Sequence, residues 1–139
     1  MEASFTYEGT VRGQGRPRFR RNGSAYETAQ DRAYKKAIAE AYEQQSGVWF
    51  GDRELFASIY VTRALPKSRP KRVTSEPDTF TPDADNIAKA VLDALNGVAY
   101  VDDKQVTQLF VAKGERRRSL ETDRLTVIFQ AIERKASNG

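Results

Sequence analysis

Neither cysteine nor histidine occurs anywhere in the 139 residues. The first absence excludes disulfides, zinc–thiolate sites and thiol nucleophiles. The second removes imidazole as base or ligand, so any metal site here has oxygen donors only, the set suited to Mg²⁺ or Mn²⁺. Long apolar runs are missing too. No stretch of about 18 apolar residues exists, and residues 1–20 carry no apolar block of the signal-peptide kind. The expectation is a cytoplasmic chain with no membrane partner.

What is present describes a globular protein. The length suffices for one ordinary core and is short for two. With 39% hydrophobic and 30% charged residues the chain is not of disordered composition. A formal net charge of +4 favours a polyanionic partner without requiring one.

Periodicity assigns the elements. Residues 4–11 read as a strand in which Phe5 and Tyr7 alternate with polar neighbours. A helix is predicted over 29–45, with Thr28 as N-cap, Asp31 three places on, and Tyr34, Ile38 and Tyr42 forming its packing stripe. Leu55, Ala57, Ile59 and Val61 share one face of a second strand. A second helix is predicted over 86–95, capped by Asp85 and left through Asn96-Gly97. Two further strands follow at 105–112 and 123–131, with a basic turn at 113–118 between them. The tail 133–139 is expected to fray. The sum is one α/β (α+β) domain over 1–139, a mixed sheet packed against two main helices.

Two loops are basic. Residues 12–24 hold Arg12, Arg16, Arg18, Arg20 and Arg21 among three glycines and no acid. Residues 62–82 hold Arg63, Lys67, Arg69, Lys71 and Arg72 among four prolines, and the first acid there is Glu76. A solvated surface loop explains either one. Glycines that let backbone approach a ligand, beside arginines that donate to phosphate, explain the first equally well. A loop as long as the second is usually functional or disordered.

Against this basic background stands an acidic cluster, Pro82-Asp83-Ala84-Asp85-Asn86-Ile87-Ala88-Lys89, followed by Asp102-Asp103. Gathered carboxylates repel unless a proton, a lysine or a divalent cation offsets them. In extended chain Asp83 and Asp85 point to one side. Helical spacing puts Asp85, Lys89, Asp93 and Asn96 on one face, opposite Ile87, Val91, Ala94 and Leu95. Asp102 and Asp103 are expected to start the next strand, with enough chain before them to turn back toward the helix N-terminus. Such a set can hold one or two divalent ions at a scissile phosphate. The bland alternative makes Asp85 a cap, the Asp85–Lys89 and Lys89–Asp93 pairs helix-surface support, and Asp102-Asp103 a turn. Pro82-Asp83 with Asp102-x-Lys104 also fits the loose PD…(D/E)xK nuclease pattern, which would put Lys104 in the place of Lys89.

Taken together, the block 82–89, its continuation Asp93-Ala94-Leu95-Asn96-Gly97 and Tyr100-Val101-Asp102-Asp103-Lys104-Gln105-Val106 resemble the RusA-type Holliday junction resolvases of phages, prophages and bacteria. Gly13 through Arg18 resembles that family's glycine-and-arginine segment, and Pro66-Lys67-Ser68 its Pro-x-Ser segment. The resemblance implies a homodimeric, Mg²⁺-dependent endonuclease, with Mn²⁺ as a possible substitute and no organic cofactor. It would act in DNA recombination and repair by resolving four-way junctions through paired symmetric cuts. It implies Asp83, Asp85 and Asp103 as catalytic metal ligands and Lys89 as the functional lysine, with Asp102 as the neighbour to assist; it demands no catalytic role of Lys104, which stays a possible assistant through the PD…(D/E)xK pattern alone. Where many members carry a histidine and a lysine before the first aspartate, this chain has Thr79 and Thr81. The DNA contacts expected from the basic loops are Arg12, Arg16, Arg18, Arg20, Arg21, Lys67, Arg69, Lys71 and Arg72. The rival readings are a nuclease of other branched or single-stranded DNA and a non-catalytic basic DNA-binding protein.

Overall fold

Alternating apolar residues and one amphipathic helix pattern after another set the architecture. The computed structural model describes residues 1–15 and 18–134. Along the chain come β1 (Glu2–Glu8), β2 (Arg18–Phe19), β3 (Ala25–Tyr26), α1 (Ala29–Gln45), β4 (Leu55–Thr62), β5 (Ser75–Glu76), α2 (Ala84–Ala94), a 3₁₀ turn (Asp103–Gln105), β6 (Val106–Lys113), β7 (Arg116–Arg117) and β8 (Arg124–Ala131). The main sheet has the order β1-β8-β4-β6. β8 is antiparallel to both its neighbours, whereas β4 and β6 run parallel, so the sheet is mixed.

Register puts one side of every strand into a single core. Phe5, Val127 and Ile59 sit opposite one another across three strands, as do Ala3, Phe129 and Ala57. All six are buried. Tyr34, Ile38 and Tyr42 of α1 and Ile87, Val91 and Leu95 at α2 close over this face. Phe129 is ringed edge-on by Tyr42, Phe50 and Tyr100 at centroid distances of 6.2, 6.2 and 5.6 Å, the arrangement ring quadrupoles favour. Tyr60 and Phe110 lie on the sheet's other side, in contact at 5.7 Å and half exposed.

Helix α1 lies where the sequence puts it, and Thr28 Oγ1 accepts from the Asp31 N–H at 3.1 Å. Other boundaries move. The first strand ends at Glu8 rather than at 11, because the Asp123 carboxylate takes the Val11 N–H and draws the chain off the ladder. The segment 12–24 contributes β2 to a small hairpin with β3, and 62–82 contributes β5, which pairs with β7. This second segment is also tied down, since the Arg118 guanidinium donates to the carbonyls of Arg69, Pro70 and Val73. The part of the tail beyond Arg134, like Arg16, lies outside the described residues. Among the described residues no helix is long and apolar enough to cross a membrane.

Candidate active site

A parallel strand pair needs a crossover connection; here α2 lies on the one that joins β4 to β6. The carboxyl ends of such strands are where open α/β sheets place ligands. At those ends stand Arg63, just after β4, and Lys113, the last residue of β6. Both reach Asp78, whose side chain is fully buried. Arg63 donates to it twice, at 2.8 and 2.7 Å, and the Lys113 ammonium lies 3.6 Å away. Burial alone would push the Asp78 carboxyl up; the Arg63 hydrogen bonds and the two nearby cations outweigh it and hold the group below its ordinary range. Lys113 also donates to the carbonyls of Phe80 and Pro82, at 2.6 and 2.9 Å. The residue before Asp83 is thereby fixed to the end of β6. Neither Asp78 nor Lys113 was visible as a site residue in the sequence, because nothing in their spacing shows that residues 63, 78 and 113 meet.

The cap of α2 is a correction. Its N-cap is Asp83, not Asp85, and the Asp83 side chain makes no capping hydrogen bond. Asp85 falls in the first helical turn. Asp83, Asp85 and Lys89 are all exposed. The Asp85–Lys89 and Lys89–Asp93 pairs that the spacing allows do not form, and Asp93 is paired instead with Lys35 of α1. The bland reading of this row as a cap plus helix-surface salt bridges therefore loses its support. Asp83 and Asp85 stand at the positive end of the helix and Lys89 one turn beyond Asp85, all exposed and with no side-chain hydrogen bond or ion pair among the described residues.

Asp102 and Asp103 behave differently from each other. They do not start β6 as expected; Asp102 caps the 3₁₀ turn, accepting from the Lys104 N–H at 3.0 Å, while Gln105 Oε1 accepts from the Asp102 N–H at 3.0 Å. The three residues of the turn then lead into β6, and this reciprocal box satisfies the turn's own backbone. The Lys104 N–H and the neighbouring carboxyl hold Asp102 below the usual carboxylate range. Asp103 is pushed up, first by burial and then by Asp102 and Asp93. Its own N–H donates to Asn96 Oδ1 at 2.8 Å. That bond anchors the acidic pair beside the C-terminal end of α2, whereas Asp83 and Asp85 stand at the N-terminal end. From residue 85 to residue 93 the helix rises about 12 Å. The chain does not turn back to the helix N-terminus, and among the described residues no group of three acidic side chains is close enough to hold an ion.

The donor chemistry nonetheless suits Mg²⁺. This ion takes oxygen ligands, often only one or two carboxylates completed by waters and substrate phosphate, rather than a closed protein cage. Asp83 and Asp85 offer such a pair. Asp103, pushed up by burial and by two neighbouring carboxylates, is a place where added positive charge is favoured.

The glycine-and-arginine segment docks beside the first pair. Gln14 donates its N–H to the Asn86 carbonyl at 2.9 Å. A Cβ on Gly13 would lie 2.8 Å from the Pro82 Cβ and 3.2 Å from the Asn86 Cβ, so only glycine permits this approach. A cleft lined by Arg12, Arg18, Thr81 and Pro82 results. Of the basic residues expected at DNA, Arg12 is paired with Asp31 and Arg69 with Glu76, and Arg20 lies over the Tyr26 ring. Arg18, Arg21, Lys67, Lys71 and Arg72 are exposed.

Comparison with known proteins agrees with the block of acids and glycines. The profile of the family described as "Endodeoxyribonuclease RusA" matches residues 8–128. A protein of Bacillus subtilis (strain 168) described as "Uncharacterized protein YqaN" is 34% identical over 120 residues, covering 78% of this chain and 84% of the relative.

Proposed function

We propose, from the premise that this chain belongs to the RusA endodeoxyribonuclease family, that it hydrolyses phosphodiesters of four-way DNA junctions with divalent metal and as a homodimer. The single observation that carries the reading is the uncommitted row at the start of α2: Asp83 without a cap bond, Asp85 and Lys89, all exposed. Bound there, Mg²⁺, or Mn²⁺ in its place, would supply polarisation of the scissile phosphate and an activated water, for hydrolysis to a 5′-phosphate and a 3′-hydroxyl. Asp83 and Asp85 hold that charge. Lys89, one turn further along the same row, meets charge that develops on the phosphate oxygens. Lys113 keeps Pro82, and with it Asp83, in place while the strand binds. Arg18, Arg21, Lys67, Lys71 and Arg72 neutralise the arms of the junction; Arg12, Arg20 and Arg69, engaged with Asp31, Tyr26 and Glu76, and Arg16 belong to that set by sequence.

The position of Asp103 supports the homodimer. It sits at the end of α2 opposite Asp83 and Asp85, so a three-carboxylate set forms when a second copy brings its Asp103 across. Asp103 leads directly into β6, an edge strand on which Leu109 and Phe110 are each 48% exposed. An apolar strand edge of this kind favours pairing with another chain. A two-fold dimer then presents one complete site to each of the two equivalent strands of a junction.

The test is cleavage of synthetic four-way junction, linear duplex and flap DNA with Mg²⁺ or EDTA, using wild type, Asp83→Asn, Asp103→Asn and a refolded mixture of the two variants. The junction is expected to be cut in Mg²⁺ alone, each variant to be inactive, and the mixture to regain nicking at one strand. Cleavage in EDTA would sink the metal mechanism. Equal cutting of duplex and junction would sink the resolvase reading, and an inactive mixture the shared site.

A further inference from the structure

Among the exposed large apolar side chains, Phe80 stands nearest in sequence to the candidate metal pair, three residues before Asp83. It is 42% exposed. A single surface phenylalanine needs no explanation by itself, but this one is held in place. Arg116, only 8% exposed, has its guanidinium carbon 4.4 Å from the ring centroid, and that of Arg69 lies 5.7 Å away. Glu76 joins the two cations, accepting from Arg69 Nε at 3.0 Å and lying 3.5 Å from Arg116 Nε. Guanidiniums that share one carboxylate approach the ring from one side, so its exposed surface is the side turned away from them. A cation–π contact is strongest where the cation is desolvated, as Arg116 is, and it orients the ring before anything binds.

The main chain sets where that ring stands. The carbonyls of Phe80 and Pro82 both accept from the Lys113 ammonium, at 2.6 and 2.9 Å, which holds Phe80 beside Asp83. Even fully extended, three residues span at most about 11 Å, about three base steps along a duplex. Lys67, Lys71 and Arg72 of the same segment are exposed. Nucleic-acid strands bind where cations follow the backbone and an aromatic ring takes the face of a base. An uninterrupted duplex has no base face to give, because each base is covered by its neighbours. At a branch point the stack is broken, and the cost of exposing a base is least there.

We propose that Phe80 is a specificity-determining residue for branched DNA, its open face stacking on a base exposed at the crossover, a few nucleotides from the cut phosphodiester. This rests on the nuclease reading and adds to it the residue that tells a junction from a duplex. Arg116 positions the ring. Lys113 holds only the carbonyl, so the ring keeps its support on Arg116 without it.

The experiment measures Kd in EDTA for a four-way junction and for a linear duplex of the same arm sequence, with a single abasic site scanned through the positions around the crossover. Phe80→Ala should weaken junction binding about tenfold or more, the scale of one base–aromatic stack, and leave duplex binding unchanged. One abasic position should cause the same loss with wild type and no further loss with Phe80→Ala. Phe80→Tyr, which keeps the flat ring, should bind the junction as wild type does. Phe80→Leu, which keeps apolar bulk over Arg116 without a flat face, should lose as much as Phe80→Ala. If Phe80→Ala weakens duplex and junction alike, if Phe80→Leu binds as wild type does, or if abasic and protein changes add independently, the ring merely covers the Arg116–Glu76 pair. The inference is then overturned, while metal-dependent junction cleavage would still stand. Failure of the nuclease reading shows instead as absence of metal-dependent cleavage by wild type at every substrate, and the binding measurements decide the role of Phe80 in either case.

Discussion

Lys113 Nζ donates to the Pro82 carbonyl at 2.9 Å, so the last residue of an edge strand holds the residue that precedes the first candidate metal ligand. Neither residue is near the other in sequence, and the contact fixes where Asp83 enters α2. Lys113 is a positioning residue, joined to the site through backbone and not through its own charge at the substrate.

Lys113→Met removes two charged donors to carbonyls and one cation from Asp78. A stability loss of about 2 kcal/mol or more is expected in urea unfolding. The substitution should also lower kcat while leaving junction affinity in EDTA unchanged. A loss of affinity equal to the loss of kcat would assign Lys113 to DNA contact instead.

The buried pair Arg63–Asp78 gives the second prediction. Breaking it from one side leaves a charge without its partner, so Asp78→Ala or Arg63→Ala should each cost about 3–5 kcal/mol. Replacing both with leucine should cost less than the sum of the single changes. The sign with pH follows from the depressed Asp78 carboxyl. Its contribution is present in full above the ordinary value of 3.8 and is lost as pH falls through the lower folded value. The variant should therefore show a flatter decline in stability below about pH 4 than wild type, as followed by circular dichroism across an acid titration.

Asp103 carries the opposite sign. Its carboxyl is pushed up by burial, Asp102 and Asp93, so the ionised form weakens the fold once pH rises above the ordinary carboxylate value. Asp103→Asn should raise stability at neutral pH by up to about 1 kcal/mol, the scale of a partly exposed charge contact. The same change should abolish cleavage. Asp83→Asn, at an exposed residue with no cap bond, should shift stability by less than about 0.5 kcal/mol and still cost about a hundredfold or more in cleavage. Melting curves alongside cleavage rates decide both.

For the two lysines, Lys89→Ala should remove most turnover and Lys104→Ala much less, because Lys89 shares the exposed row of Asp83 and Asp85 while Lys104 sits in the 3₁₀ turn at the far end of α2. The reverse order, measured as single-turnover rates in Mg²⁺, would restore the PD…(D/E)xK arrangement.

Salt separates recognition from chemistry. Arg18→Ala and Lys71→Ala should weaken junction binding and reduce the slope of log K against log salt by about 1 each, with little effect on stability. Arg69→Ala, whose guanidinium is paired with Glu76 at 3.0 Å, should change the slope less and the melting temperature more. Binding isotherms at several salt concentrations distinguish them.

How much was legible depended on range. The Thr28 cap, the Tyr34–Ile38–Tyr42 stripe and the Leu55–Val61 face follow from periods of 3.6 and 2, which are properties of local backbone. So does the row Asp85–Lys89 on one side of α2. The sequence does not distinguish Asp83 from Asp85 as the cap of that helix, because both are good capping residues, and the N-cap is Asp83, just after Pro82, which Lys113 holds. The place of Asp103 departs from the sequence expectation for a related reason. Its direction after Gly97 is set by the bond to Asn96 and by the Asp102–Gln105 box, and no spacing rule states which way a short connection turns.

By itself, the sequence determined the chemistry available. Without cysteine or histidine, a metal finds only oxygen donors, and the block from 82 to 106 carries carboxylates and lysines together with the likeness to one nuclease family. Only the tertiary structure decided which of them stand free, which are engaged and which are far apart. Asp78 and Lys113 became the brace of the site because β4 and β6 are parallel neighbours, and Asp103 was parted from Asp83 by the length of α2. Composition is a property of the residues, but proximity comes from packing, and a short-range pattern holds no record of contacts made across 50 residues or more of chain.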